Sequence, residues 1–493
     1  MIYSKRTHKL RIILIMTVTM LSVFLLAKSS FTQGAQVTCP STTLRVALGV
    51  NLTSAELAVS DGSYELVDYL TQRVISSDPA NGKWVVAPAG SFNLQIYNNG
   101  LPVNGLGSSL VILRQKGSEG RNVFSFKNKR YRGELLIENL QGKVQMINLV
   151  DVEQYLYGVV GAEMGPGALE EAYKVQAIVS RTYALFYKHH PQLNYDVGIS
   201  TRWQVYGGYD TEILSSPLVK KAVDETCGKV IYYDNEIIQA FFHSNSGGYS
   251  EACENVWVDS LPYIQPIATP EDALAIQAFQ QESWAGETYQ WEKNFTRQEL
   301  NNQVTKWNRE NPSNTINVGE IYELAAGRLA IDPQTREYLA KQTPSGRITQ
   351  LDFRGARGTK SFYKDNIRSV LGVKSTLFEI VCDSTVKIWN AFGTTDLCSY
   401  TPDFYAVNAD GYQTKLNGNS GSYYVLEADG VKTVPKVFSQ LTIKGKGYGH
   451  GLGMSQWGAR GMALQGVKHS RIIEHFYNQD KFDGRLTISS YRP

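Results

Sequence analysis

Glu163 is the residue best placed in this sequence to do acid–base chemistry. It follows Gly158-Val-Val-Gly-Ala162, it precedes Met164, and no basic residue lies within five positions of it. A carboxyl in apolar surroundings loses hydration most severely when it is ionised, so its pKa rises and it can hold a proton near neutrality. A general acid requires that property. The position has a second reading: Glu163 stands just before a strongly helical stretch, and a carboxylate near the amino end of a helix is favoured by the helix dipole. The residues alone leave both open.

Other polar residues sit where a ligand could meet them. Arg181, Thr182 and Tyr183 lie mid-helix in apolar company, and a buried Arg needs an anionic or carbonyl partner. That partner is either structural, with Asp151 or Glu153 within reach, or a substrate in a cleft. His243 and Ser244 end a strand and enter the turn Asn245-Ser-Gly-Gly248, and chemistry is often carried at such a turn. His243, Cys253 and His450 could be imagined around a metal, but the spacing typical of metal ligands is missing. From Gly445 to Gly453 glycine occupies every second position. Read as a strand, this places five glycines on one face and Lys446, Tyr448, His450, Leu452 and Met454 on the other. A face without side chains lets a backbone or a ligand approach closely. The run lacks the Gly-Lys-Ser/Thr ending of a phosphate loop. No Gly-x-Ser-x-Gly elbow occurs for a serine hydrolase.

The elements that must position these residues are legible in outline. Short β-type runs from Thr43 to Lys127, punctuated by Asn-Gly at 81–82, 99–100 and 104–105, predict hairpins. Strand patterns continue over 133–138 and 143–149. A helix is expected from Val152 to Gly161, and Pro166 with its flanking glycines ends any regular element. Residues 168–189 are apolar nearly all round and predict a buried helix. On that helix Gln176, Ser180, Tyr183 and Tyr187 share one stripe. Strands are expected at 229–243, 346–354, 376–382 and 423–443, with helices at 455–465 and 470–478. Between 270 and 325 the chain is polar and rich in Gln and Asn, and Thr296-Arg-Gln-Glu299 reads as a capping box.

Composition excludes some classes. The net charge of +3 arises in the first 28 residues, which hold Lys5, Arg6, Lys9, Arg11 and Lys28 and no acid. The remainder is close to neutral and gives no electrostatic case for binding nucleic acid. The apolar run Ile12–Ala27 behind those cations reads as the core of a signal peptide or an anchor, which puts the rest outside the cytoplasm. Of the five cysteines, Cys382 with Cys398 and Cys227 with Cys253 are the expected disulfide pairs, leaving Cys39 over.

Three segments in order resemble the stage II sporulation protein D and amidase-enhancer family. They are Tyr155-Leu-Tyr-Gly-Val-Val-Gly-Ala-Glu163-Met164 with Ala172 to Ala184, then Phe242-His243-Ser-Asn-Ser-Gly-Gly248, then Gly447-Tyr-Gly-His450-Gly-Leu-Gly-Met454-Ser455-Gln456-Trp-Gly-Ala459. Asn366-Ile-Arg368-Ser and Leu371-Gly fit the same pattern. The resemblance spans roughly residues 130–480. One departure stands out: Gly165 intervenes between Glu163-Met164 and Pro166, where the family commonly has Pro at once.

The resemblance implies a peptidoglycan lytic transglycosylase with Glu163 as the catalytic acid and then base. Arg181, Thr182, Tyr183, His243, Ser244, His450 and Gln456 would line the cleft. No metal or other cofactor is expected. The implied partners are peptidoglycan glycan strands, stripped of stem peptides, and a cell-wall amidase if the protein is instead a non-catalytic enhancer. The expected architecture is α+β: signal peptide or anchor (1–29), tether (30–42), small mostly-β domain (43–128), and an α/β catalytic domain (129–269 and 346–485) carrying a polar helical insertion (270–345).

Overall fold

A computed structural model describes residues 39, 41–103, 108–117, 121–191, 193–257, 259–282, 285–390, 393–398, 405–407, 412–415, 422–427, 430–435 and 437–492. The expected signal segment and the Asn-Gly pair at 104–105 lie outside them. Among the described residues, every helix and strand falls in one unit, Thr42–Pro493. The architecture is α+β. No helix among the described residues is long and apolar enough to cross a membrane.

Two layers open the fold, antiparallel except for the short edge strand Val197–Gly198, which runs parallel to its neighbour. A seven-stranded sheet holds Thr43–Leu52, Tyr64–Asp68, Leu110–Gln115, Glu134–Leu140 and Lys143–Asp151 among its strands. A six-stranded sheet holds Ala55–Asp61, Trp84–Ala89, Asn93–Asn98 and Val123–Phe126. Alternate residues of both turn inward, so Leu44, Val46, Leu135 and Ile137 share one core with Leu57, Val86, Ile96 and Phe124. The expected boundary at 128/129 falls inside this assembly. Thr43 to Leu52 runs antiparallel along Asp151 to Val144, so the opening strand and the strand leading into the site are neighbours in one sheet. The Asn99-Gly100 hairpin forms as expected, with both residues at positive φ (50° and 83°) as a type I′ turn requires.

Helix α1 (Val152–Met164) leaves this sheet, capped by the Asp151 carboxylate accepting from the Glu153 N–H. It runs three residues beyond the expected end and carries Glu163 in its last turn. Helix α2 (Glu170–His189) is buried through its middle from Ala172 to Leu185, as its all-round apolar sequence demands. Near the carboxyl end of the chain, α3 (Gln456–Leu464) packs beside α2 and the helix Glu271–Ala278.

A second core gathers Phe295, Leu300, Ile321, Leu351, Phe353, Ile367, Phe378 and Ile443. The expected helical insertion is only partly helical. Thr296 and Glu299 do form the capping box of helix Arg297–Glu310. Gln290–Thr296, however, is a strand that pairs antiparallel with Gln440–Lys446, and strands also form at Ile321–Gly327, Leu329–Ile331 and Tyr338–Gln342. A partner some 150 residues away in sequence dictates that pairing, and local polarity does not reveal it.

The glycine run is not a strand. Regular pairing stops at Lys446, and Gly447, Gly449, Gly451 and Gly453 take φ values of 77°, 108°, 83° and 66°. Positive φ at alternate positions coils the chain tightly along residues 241–248. Asn245 and Tyr448 exchange backbone hydrogen bonds, and the Met454 N–H donates to the Phe241 carbonyl. A Cβ on Gly453 would lie 2.0 Å from that carbonyl oxygen. The five alternate side chains therefore do not share one face. Tyr448 and His450 face a groove, whereas Leu452 and Met454 enter the core.

The expected Cys227–Cys253 pair does not form. Cys227 is disulfide-bonded, Cys253 is a free, buried thiol, and Cys39, expected to be left over, is also disulfide-bonded. The side chain of Cys398 lies outside the described residues.

Candidate active site

A groove of about 1100 Å3 runs between α2, the loop 201–205, the strand and turn 239–244, the segment 256–261, the stretch 363–373 and the glycine coil. Glu163, Tyr183, His243, Ser244, His450 and Gln456 line it together. The stripe of α2 seen in the sequence points the right way. Tyr183 and Tyr187 reach the groove, and Gln176, one turn behind Ser180, donates to the Ser180 hydroxyl at 2.9 Å beneath it.

The carboxyl of Glu163 is placed by close backbone approach. Gly158 on α1 has no side chain, and the Gly207 N–H donates to its carbonyl at 3.0 Å; a Cβ there would meet the Gly208 oxygen at 2.8 Å. The segment 204–208 therefore lies against α1. It is fixed further by the Tyr155 hydroxyl on Gln204 (3.1 Å) and by the Gln204 amide on the Ser180 carbonyl (3.2 Å). That course aims the Val205 N–H at Glu163 Oε1, 2.5 Å away. Gln456 Nε2, at the start of α3, donates to Oε2 at 3.2 Å and also reaches Gln176 Oε1 at 3.4 Å. Glu163 thus serves neither the amino end of α2 nor, among the described residues, any Lys or Arg. The ionisable neighbours that feel its charge are the buried phenols of Tyr155 and Tyr183, both pushed above their usual pKa, chiefly by burial.

Burial raises the Glu163 pKa from 4.5 to about 7, while the Val205 and Gln456 donors pull it down. Both donors favour the carboxylate, and desolvation outweighs them. The result is a group that is about half protonated at neutral pH and meets two ready hydrogen bonds once the proton has left.

The two histidines form part of the wall and stay neutral. Burial holds His243 well below 6.5. Its Nδ1 lies 3.0 Å from the Leu452 carbonyl, which can only accept, so Nδ1 carries the proton and Nε2 accepts from the Ser246 hydroxyl at 2.8 Å. His450 is lowered to about 3, mainly by burial and then by Arg368 and Arg347. Its Nδ1 accepts from the Leu452 N–H at 3.0 Å. With both ring nitrogens of His243 engaged, the imagined His243–Cys253–His450 metal set has no free ligand there. Among the described residues no group of three or more His, Cys, Asp or Glu is arranged to hold a metal.

Arg181 and Thr182 are elsewhere. Arg181 is fully buried on the far side of α2, where its guanidinium grips Glu153 at 2.8 and 2.6 Å and donates to the Lys229 carbonyl at 3.1 Å. The Thr182 hydroxyl donates to Ile178 O at 2.7 Å and accepts from the Ile231 N–H at 3.0 Å. Neither touches the groove. Their physical role is to join α2 to α1 and to strand Lys229–Tyr233.

Residues absent from the sequence-based set complete the wall. Trp203 meets Tyr187 edge-on at 4.9 Å between ring centroids, Tyr187 meets Tyr183 at 4.9 Å, and Tyr183 meets Phe241 at 6.4 Å. Phe241 meets Trp257 at 4.6 Å, and Trp257 meets His450 at 4.8 Å. This continuous aromatic side can receive the apolar faces of sugar rings. Arg202, Lys364 and Arg368 supply cations. Of the other carboxylates on the groove, Asp365 is held by Arg368 through two bonds of 2.6 and 2.7 Å, and Asp259 is exposed.

A buried carboxylate, Asp272, ties the two turn motifs together. It accepts from the Ser455 hydroxyl (2.5 Å), the Thr269 hydroxyl (2.9 Å) and the Gly248 N–H (3.2 Å). Ser455 Oγ in turn accepts from the Ser246 N–H at 3.3 Å and caps α3 at Gly458. Asp272 comes from a segment with no recognisable motif, and sequence reasoning missed it.

Comparison with known proteins bears on the family rather than on individual residues. Residues 140–233, which include Glu163 and α2, match the family described as "Stage II sporulation protein". An uncharacterized protein of Brachyspira hyodysenteriae is 25% identical over 384 residues, covering 77% of this chain and 78% of that one. The amidase enhancer of Bacillus subtilis is 26% identical over 401 residues, 80% of this chain; the match spans only 50% of the relative's length. Stage II sporulation protein D of Bacillus amyloliquefaciens is 24% identical over 347 residues, 66% of this chain and 73% of the relative. In its motifs and in these matches the chain is similar to the stage II sporulation protein D and amidase-enhancer family.

Proposed function

We propose that the protein is a peptidoglycan lytic transglycosylase that acts outside the cytoplasm and cleaves the bond from N-acetylmuramic acid to N-acetylglucosamine in peptide-stripped glycan. The observation that carries this reading is a single carboxyl, Glu163, raised to about 7 at the wall of a large aromatic groove. Glycosidases of the common kind use two carboxylates, one as acid and one as nucleophile or base. Here the groove presents one carboxyl able to hold a proton near neutrality, a carboxylate locked to Arg368 and an exposed Asp259. Such a site suits a reaction in which the sugar brings its own nucleophile.

In that reaction protonated Glu163 gives its proton to the bridging oxygen as the bond from muramic C1 to that oxygen breaks. The C6 hydroxyl of the same muramic ring bonds to C1. The Glu163 carboxylate, held by Val205 N–H and Gln456, takes the C6 proton and is restored. One glycosidic bond is exchanged for an internal one, the product is a 1,6-anhydro end, and no water is consumed. Neutral His243 and His450 shape the wall without competing for the proton.

A second reading follows from the relative named amidase enhancer: a glycan-binding partner of a wall amidase, with no bond cleavage of its own. One experiment separates the two. The purified protein and its Glu163→Gln variant are incubated with amidase-treated peptidoglycan, and the strands are weighed by mass spectrometry. Anhydro ends that vanish in the variant support the enzyme. Retained binding with no anhydro ends in either protein supports the enhancer.

A further inference from the structure

We propose that Arg460 is the positioning residue for Glu163: it clamps the turn that follows the acid and links that turn to Glu282. This rests on Glu163 being the acid of the reaction above.

The turn needs an anchor. Directly after Glu163 the chain passes through Gly165 at φ 67° and Gly167 at φ 79°. Two glycines around one proline leave the backbone several accessible conformations, and the helix end above leaves carbonyls without intrahelical partners. Three successive carbonyls are held by side chains. Arg460 Nη2 donates to both Met164 O and Pro166 O, the latter at 2.8 Å, and the Tyr173 hydroxyl donates to Gly165 O between them at 2.9 Å.

The guanidinium is itself fixed on every side. Its side chain is 1% exposed and lies over the Trp457 ring (4.6 Å) and the Phe279 ring (5.1 Å). Nη1 reaches both oxygens of Glu282 at 3.1 and 3.3 Å. Gly167 passes so near that a Cβ there would sit 2.8 Å from Glu282 Oε1. Among the described residues, the titratable groups around the clamp include Glu282 and Tyr173, and those around the acid include Tyr155 and Tyr183.

One helix does both jobs. Gln456 and Arg460 stand four residues apart on α3, hence on one face. The first donates to the Glu163 carboxyl and the second to the backbone just beyond it. The extra Gly165 lengthens the path from Glu163 to Pro166, and the Arg460 clamp is what returns the turn to a single course. Glu282, from the segment expected as an insertion, gives that segment a direct hold on the acid.

The test is a titration of the Glu163 carboxyl in the full chain, by carbon-13 NMR of labelled glutamate with Glu163→Gln as the assignment control. It is read beside kcat and KM in wild type, Arg460→Lys and Arg460→Met. Loosening the turn admits water, so Arg460→Met should move the Glu163 pKa down by about one unit or more. It should cut kcat on the order of 10- to 100-fold with KM within about threefold. Arg460→Lys, with one ammonium for two carbonyls, should fall between. Loss of a nearby positive charge alone would move the pKa up, and that result overturns the proposal, as does a wild-type pKa with wild-type kcat. If Arg460→Met does not fold, Glu282→Gln is the gentler probe: a severalfold loss of kcat is expected, and no change overturns the proposal. Should Glu163→Gln keep full activity, the acid assignment fails, whereas the titration still reports on the clamp.

Discussion

Gln456 Nε2 lies 3.2 Å from Glu163 Oε2, across 293 residues of sequence. The contact joins the first and last of the three motifs and gives the carboxyl a neutral donor rather than a cation. A lysine in its place would pull the pKa down and leave a carboxylate at neutral pH; an amide leaves the balance to burial. The remaining observations turn on that balance.

The first prediction concerns pH. If the proton-bearing form of Glu163 is active, kcat/KM should be level below about pH 7 and fall about tenfold per unit above it. Stability moves in step. The carboxyl binds protons more tightly folded (about 7) than at its ordinary 4.5, so stability falls as pH rises through that window. Glu163→Gln removes the penalty. It should be more stable than wild type at pH 8 by about 1–3 kcal/mol, partial exposure drawing the figure to the lower end, and equal to it near pH 4. Denaturant unfolding at the two pH values would check this.

Arg181 offers a contrast. Removing it strands the Glu153 carboxylate in the core, so Arg181→Met should lower stability by about 3–5 kcal/mol. Arg181→Met with Glu153→Gln should recover part of that loss. Because the guanidinium never reaches the groove, KM measured well below the melting temperature should stay within about twofold of wild type. A large rise in KM with stability unchanged would return Arg181 to the cleft.

The aromatic wall predicts binding effects. Trp257 lies between Phe241, which it meets edge-on, and the tilted ring of His450, and faces the groove. Trp257→Ala should raise KM for glycan about fivefold, since sugar-face contacts of this kind contribute on the order of 1 kcal/mol. The fall in kcat should be smaller. Titration with short glycan fragments would report the same loss directly.

Much of this site could be read from the chain alone, and the failures have physical causes. Glu163, Tyr183, His243, Ser244, His450 and Gln456 were legible because each stands in a locally distinctive setting, and the fold brings all six to one groove. Arg181 and Thr182 were misplaced by proximity. Successive helix residues turn through about 100°, so a neighbour of Tyr183 in sequence faces elsewhere. The glycine run has the alternation of a strand, and only the signs of φ distinguish the coil it forms. Trp203, Trp257 and Asp272 carry no local signal. Their roles come from pairings between distant segments, the same reason that strand Thr43–Leu52 was not seen to join Lys143–Asp151.

The most direct measurement is cleavage of peptide-stripped glycan in oxygen-18 water, with the new muramic ends identified by mass spectrometry. Transfer to the C6 hydroxyl predicts 1,6-anhydro ends without label, absent when Glu163→Gln is used. Reducing ends that carry the heavy oxygen would contradict it, because water would then be the nucleophile and a second carboxylate would have to activate it.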